Sequence, residues 1–231
     1  MKSLIRYQLL ERKRIQLTKR QDLPAVVQDY LSEPVIKPGT CLDDIEFLVL
    51  DFETTGLDVD ADRIVSLGYT IIKDLHIALP QSAHLIVNPK QAMNEQSVTI
   101  HELTDDEVQQ GVSVSVMMEH LLPLMKGRVL VAHFDRIERC FINKAASQLY
   151  NIETLPFQMI DTLKIEAKKQ QRTEGRLDAN SLRLFNLISQ YNLPRYKAHH
   201  ALQDAISTAE LLLAQIAYKG RKNCSKLSEL L

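Results

Sequence analysis

The chain has 231 residues, 45% of them apolar and 25% charged, with a net charge of −1. Those values suit one well-cored domain with room for an appendage, and exclude a disordered, collagen-like or strongly basic nucleic-acid-coating chain. No apolar run approaches the 18 residues of a membrane span, so no membrane partner is expected. Charge is uneven: residues 1–40 hold eight Lys/Arg against four Asp/Glu, net +4, which leaves −5 for the rest. Cys41, Cys140 and Cys224 are odd in number, far apart and in no metal-ligand spacing. They are read as free thiols in a reducing compartment, the cytoplasm.

In chain order, Leu4, Ile5, Leu9 and Leu10 recur at helical spacing, so residues 1–33 are expected to form one or two amphipathic helices. Their charges are too closely spaced for a signal-peptide apolar core. "SEPVIKPGT" breaks the pattern as a linker. "EFLVLDFE" reads as a central strand buried on both faces. "RIVSLGYTII" and "SAHLIVN" read as the next two strands of an antiparallel meander. Helices are expected near 104–110 and 113–126, then a strand "RVLVA", a helix over 135–150, a short strand "FQMID", and helices near 162–171, 180–191 and 200–217. "SLRLF" (181–185) falls inside the second of these and is expected to face the core. Strands first, then strand and helix alternating, predict an α/β fold: a mixed sheet with helices on both faces. The division expected is a helical basic extension over 1–40, a main domain over 41–218 and a tail over 219–231.

Two stretches could carry chemistry. In "LDFETTGLD", Asp51 and Glu53 are two apart near a strand end and so share a face. Two carboxylates in an apolar setting repel, and a hard divalent cation is their natural partner. Gly56 then permits a tight turn with exposed N–H groups. Alone, the pair could equally just end a strand. In "AHHALQDAISTAELLLAQIAY", Leu202, Ala205, Ile206, Ala209, Leu213 and Ile216 form a helical stripe, with Asp204 in its first turn. His199 can share a site with Asp204 only from the loop before the helix, because five helical residues turn through roughly 500°. Alone, His199 could be a surface loop residue and Asp204 a helix-dipole partner. The His199-His200 pair lacks any other Cys or His at zinc-ligand spacing.

Together, the pieces resemble the DEDDh 3′–5′ exonucleases, the family of the proofreading epsilon subunit of bacterial DNA polymerase III, over roughly residues 45–217. "LDFETTGL" resembles the first motif and "HHALQDA" the closing one. "IDTLKI", with Asp161, resembles a segment between the second and third motifs, and "TIHELTDDEV" a segment before the second. The second motif, Ala-His-Asn-Ala-x-Phe-Asp-x-x-Phe-Leu, set without gaps on "AHFDRIERCFI", places Glu138 on the metal-binding acid and Asp135 on a small alanine position. Glu138 is therefore the expected ligand, with Asp135 as the alternative through a deletion.

The resemblance implies a ribonuclease H-like fold and a metal-dependent 3′–5′ exonuclease. It implies Asp51, Glu53, Glu138 and Asp204 as ligands of two divalent cations, Mg²⁺ or Mn²⁺, and His199 as general base. Thr54, Thr55, Gly56 and Leu57 would contact the terminal nucleotide, Leu57 as a wedge. The expected partners are a single-stranded or frayed DNA 3′ end and a DNA polymerase or repair complex. The competing reading is a noncatalytic nucleic-acid-binding or polymerase-adaptor subunit in which Glu138 has spoiled one metal position.

Overall fold

The computed structural model describes residues 2–89, 108–173, 175, 178–197, 199–220 and 224–231. The helix expected near 104–110 and the "TIHELTDDEV" segment lie almost wholly outside these residues.

The centre of the fold is β1 (Phe47–Thr54), flanked by β2 (Ile64–Lys73) on one edge and β5 (Val129–Ala132) on the other. β1 and β2 run antiparallel; β1, β5 and β6 (Met159–Asp161) run parallel. The expected meander gains a strand. β2 is long enough to pair along one edge with both a short β3 (His76–Ile77) and β4 (Ala83–Ile86). The sheet is mixed and the class α/β, as expected.

Alternation along β1 sorts its side chains between two cores. Leu48, Leu50 and Phe52 join the layer made with α2 (Ala25–Ser32), α3 (Val114–Met125) and α4 (Arg136–Tyr150). Phe47 and Val49 join the opposite layer, with Ile165 of α5 (Thr162–Thr173) and Ala209, Leu212 and Ile216 of α7 (Ala201–Tyr218). Asp51 and Glu53 continue this second row. α7 can lie close because β2 carries Gly68 beneath it: a Cβ there would stand 2.0 Å from the Ala201 carbonyl carbon and 2.1 Å from the Leu202 nitrogen.

The ends of the described chain are tied into the fold. α1 (Lys2–Leu17) precedes α2, and Leu17, Val27, Tyr30 and Leu31 are buried in the first core. The Tyr30 hydroxyl donates to the Pro156 carbonyl at 2.8 Å. Leu227 and Leu230 of the tail are buried in the second core. Cys41 pairs with Lys226 in an isolated antiparallel bridge.

Two expectations need correction. Cys41 and Cys224 are not free thiols; they form a disulfide, Cα–Cα 5.5 Å, across 183 residues. Spacing in sequence could not show this, because the bridge between the linker and the tail is what brings the sulfurs together. The thiol argument for a reducing compartment falls with it, and Cys140 is the free cysteine among the described residues. The helix expected over 180–191 is helical only as α6, Leu184–Gln190. Residues 178–183 form turns, in which Asn180 N–H and Ser181 Oγ–H donate to Asp178. "SLRLF" thus straddles a helix start, and Phe185 is 53% exposed rather than core-facing.

Candidate metal centre and active site

β1 brings Asp51 opposite Gly68 and Glu53 opposite Ser66, on the face α7 covers. The open space at Gly68 lets the first turn of α7 come down onto this row and carry Asp204 with it. One carboxylate oxygen from each of Asp51, Glu53 and Asp204 lies within 4.8 Å of the others. His199 sits in the loop before α7 with a left-handed backbone, φ 64°. Its N–H donates to Asp204 Oδ2 at 2.9 Å, which fixes loop and helix together.

Glu138 arrives from the other side, on the first turn of α4. β5 pairs with β1 from Phe47 to Val49, and Glu138 meets β1 beyond that stretch. There the Phe52 N–H bonds the Glu138 carboxylate, as does Glu138's own N–H. Glu138 is 3% exposed, and its Oε2 has no hydrogen-bond partner among the described residues.

The charges are in conflict. Burial, then Glu138, Glu53 and Asp204, hold the Asp51 carboxyl well above the usual carboxylate range. Burial, then the charges of Asp135 and Asp161, push Glu138 up to about 8, against the bonds from the two N–H groups. Burial and Glu53 push Asp204 up to about 6, against the N–H groups of His199 and His200. An unpartnered buried carboxylate oxygen beside three converging acids fits a divalent cation, which takes oxygen ligands and relieves this repulsion.

Asp135 does not join them. It precedes α4 as its N-cap residue and accepts a bond from Arg139 at 2.9 Å and another from Lys164. Burial opposes the shift, but these two cations hold it below the usual range. Lys164 also lies 3.1 Å from Asp161, whose Oδ1 accepts the Phe134 and Leu163 N–H groups, each at 3.0 Å. This bracing of the β5–α4 turn is what the sequence reading lacked. Lys164, three residues after Asp161, was its available signal.

The loop after β1 is knitted by Asp62, which accepts from Thr55 Oγ1 at 2.8 Å and Asp58 N–H at 2.9 Å. Thr54 Oγ1 donates to the Gly56 carbonyl at 2.7 Å. A Cβ at Gly56 would meet the Asp62 carboxylate at 2.4 Å. Leu57 stands 75% exposed at the tip. The His200 ring packs on that of His84, centroids 4.5 Å apart.

A pH dependence follows. Glu138 and Asp204 have folded values above their ordinary 4.5 and 3.8. Between ordinary and folded values the native state holds more protons than the unfolded chain, so stability is full below that window and is lost as pH rises through it. In chelator, the melting temperature should fall between about pH 5 and about pH 9, and Mg²⁺ or Mn²⁺ should remove most of that fall by replacing the protons. Melting curves in the four combinations decide it; an equal metal effect at both pH values would refute this account.

A family model described as an exonuclease (RNase_T) matches residues 48–212. The DNA polymerase III subunit epsilon of Treponema pallidum is 30% identical over 179 residues, covering 78% of this chain and 80% of that protein. The PolC-type DNA polymerase III of Thermotoga petrophila is 26% identical over 202 residues, 86% of this chain but 14% of its own length. The chain therefore spans only about a seventh of the PolC-type relatives. Among solved structures, E. coli exonuclease I with single-stranded DNA superposes with a TM-score of 0.64 at 16% identity, covering 77% of this chain and 41% of that one. Exonuclease X with 5′-overhanging duplex DNA gives 0.59 at 20% identity, covering 80% and 98%. At these identities the structures speak for the fold.

Proposed function

The chain belongs to the exonuclease family, and from that premise we propose that it is a divalent-metal-dependent enzyme that hydrolyses phosphodiester bonds at nucleic-acid 3′ ends, DNA foremost. The observation that carries this is the convergence of Asp51, Glu53 and Asp204 within 4.8 Å, with the buried Glu138 near enough to act on the Asp51 carboxyl. Asp51, Glu53 and Asp204 would hold one Mg²⁺ or Mn²⁺, and Asp51 and Glu138 a second. Such cations stabilise charge on the attacking and leaving oxygens and lower the pKa of water.

The chain's own groups do the rest. The His199 imidazole takes the proton of the attacking water. Asp204 sets the position of that imidazole through its bond to the His199 N–H. The Thr54–Gly56 turn, held by Asp62, presents backbone groups to the terminal nucleotide, and exposed Leu57 wedges against the end base. The relatives named as DNA polymerase III proteins make a DNA polymerase the proposed partner. The proposed place of work is where DNA is copied or repaired.

An end-labelled single-stranded oligonucleotide with Mg²⁺ or Mn²⁺ tests the reading: stepwise shortening from the 3′ end is expected. No shortening in either metal would favour the noncatalytic adaptor instead. The same assay separates the two acids of α4. Glu138→Gln should lower the rate by about a thousandfold, as expected for a lost metal ligand. Asp135→Asn, which only frees Arg139 and Lys164, should cost roughly 10–100-fold. Glu138→Asp should retain substantial activity and alter the Mg²⁺/Mn²⁺ preference. The reverse order of the first two would assign the metal to Asp135.

A further inference from the structure

A cleft of about 870 Å³ opens between the later turns of α5 and α7 and the tail that follows α7. Its size lies in the upper part of the range of ligand pockets. None of Asp51, Glu53, Glu138, His199 and Asp204 lines it. Asp204 is in the first turn of α7 and Tyr218 ends that helix, so at 1.5 Å per residue the cleft and the acids are about 20 Å apart along it.

Four cations surround the cleft: Lys168, Lys169, Arg172 and Lys219. Lys169 is committed, paired with the buried Glu166 at 2.9 Å and donating to the Tyr191 hydroxyl oxygen at 3.0 Å. Among the described residues no side-chain carboxylate forms an ion pair with the other three. Lys168 and Lys219 donate to main-chain oxygens, those of Leu231 at 3.4 Å and Glu229 at 3.0 Å. Burial, then the charges of Lys168 and Arg172, hold the Lys219 ammonium below its usual range, against the pull of Glu229. Three cations that repel one another across a cleft call for an anion carrying more than one charge. A phosphate group brings almost two, where a carboxylate brings one.

The cleft also offers groups that a bare anion cannot use. The Tyr218 ring is 69% exposed and stands edge-on to Tyr191, centroids 5.0 Å apart. The Lys169 ammonium lies 4.7 Å from the Tyr191 centroid and 5.6 Å from that of Tyr218, which steadies the pair. Gln215 lines the cleft although it is buried. Its Nε2 donates to the Thr162 carbonyl at 3.0 Å, while its Oε1 has no hydrogen-bond partner among the described residues. A buried acceptor without a partner calls for an N–H or O–H donor, which a phosphate dianion lacks. A multivalent anion joined to a flat ring with donors on its edge is a nucleoside phosphate.

We propose that this cleft binds a free nucleoside 5′-phosphate, at a site separate from the metal centre. The phosphate lies among Lys168, Arg172 and Lys219. The base stacks on Tyr218, and a ligand N–H or O–H donates to Gln215 Oε1. The tail wall, with Cys224 and Ser225, is tied to the linker by the disulfide, so the site is formed before the ligand arrives.

Calorimetric titration of the full chain with deoxyadenosine 5′-monophosphate tests this, in chelator so that the acids hold no cation. One saturable site per chain is expected, with parent affinity in Asp51→Asn. Lys168→Gln/Arg172→Gln, at two exposed positions, should weaken binding at least tenfold by removing charge-assisted bonds to the phosphate. Tyr218→Leu should weaken it about tenfold through lost stacking, and leave the weaker binding of inorganic phosphate unchanged. No saturable binding at millimolar nucleotide, or parent affinity in both of these variants, would overturn the proposal. Inorganic phosphate binding as tightly as the nucleotide would also overturn it, by reducing the cleft to an anion site. So would a single-stranded oligonucleotide that binds more tightly than the mononucleotide and loses that affinity in the same variants, since the cleft would then belong to a polynucleotide. None of these measurements involves hydrolysis, so the exonuclease reading stands or falls apart from them.

Discussion

Asp51→Asn is expected to reduce hydrolysis by about a thousandfold or more while leaving the fold intact. Asp51 is the carboxylate on which three others act, Glu138, Glu53 and Asp204. Asparagine keeps its size but removes the charge and one oxygen ligand at the junction of both proposed cations. Losing such a ligand costs several kcal/mol of transition-state stabilisation, and each 1.36 kcal/mol is about a factor of ten. The same change removes one of the mutually repelling buried charges. In chelator the variant should therefore melt at least as high as the parent, and higher above neutral pH, where the parent's repulsion is fullest. Single-turnover rates with saturating metal, paired with melting curves in chelator, check both halves. A rate within tenfold of the parent would remove Asp51 from its assigned role.

Gly68→Ala should be as damaging without touching a charge. The added methyl would overlap backbone atoms of Ala201 and Leu202 at 2.0–2.3 Å, and backbone cannot swing aside as a side-chain tip can. The start of α7 must lift from β2, at a cost of about 3 kcal/mol. Asp204 and His199 ride on that same start, so they would be displaced from Asp51 and Glu53. A misplacement of about 1 Å at a reacting centre can cost roughly a hundredfold. Gly39→Ala, where nothing lies within 4 Å, is the control and should fall within about 0.5 kcal/mol of the parent. Chemical denaturation and the exonuclease assay measure the two effects. A stable, fully active Gly68→Ala would show that the helix has slack the close contact denies.

These two positions show what was and was not legible beforehand. Asp51 was readable because a strand's period of two puts Asp51 and Glu53 on one face, and the apolar run before them marks a buried strand. Gly68 was not: a glycine within "RIVSLGYTII" carries no sign of what will cross it. The acids of "AHFDRIERC" were half legible. A gap-free register favoured Glu138; the pairing of Asp135 with Arg139, four residues on, is local to α4, but its pairing with Lys164 needs α5 folded against α4. The apolar spacing of Leu182, Leu184, Leu187 and Ile188 suits a long helix, yet a turn followed by two helical turns buries Leu182, Leu187 and Ile188 as well. That difference releases Phe185 to the surface. The linker–tail disulfide is a product of tertiary meeting and leaves no local trace.

That disulfide also decides how the molecule would carry a mechanical load. Tension applied to the two ends of the chain runs along the first forty residues, crosses from Cys41 to Cys224, and leaves through the tail. The 182 residues between the two cysteines, with every acid of the centre, lie off that line of force. Pulling would peel α1 and α2 from their core and then meet a covalent bond, with the sheet still assembled. With the sulfurs reduced, the load would pass next into the linker–tail bridge at Cys41 and Lys226 and its neighbouring hydrogen bonds, Leu42 N–H to the Ser225 carbonyl and Leu227 N–H to the Thr40 carbonyl. The first strand to feel it would be β1, the one that carries Asp51 and Glu53.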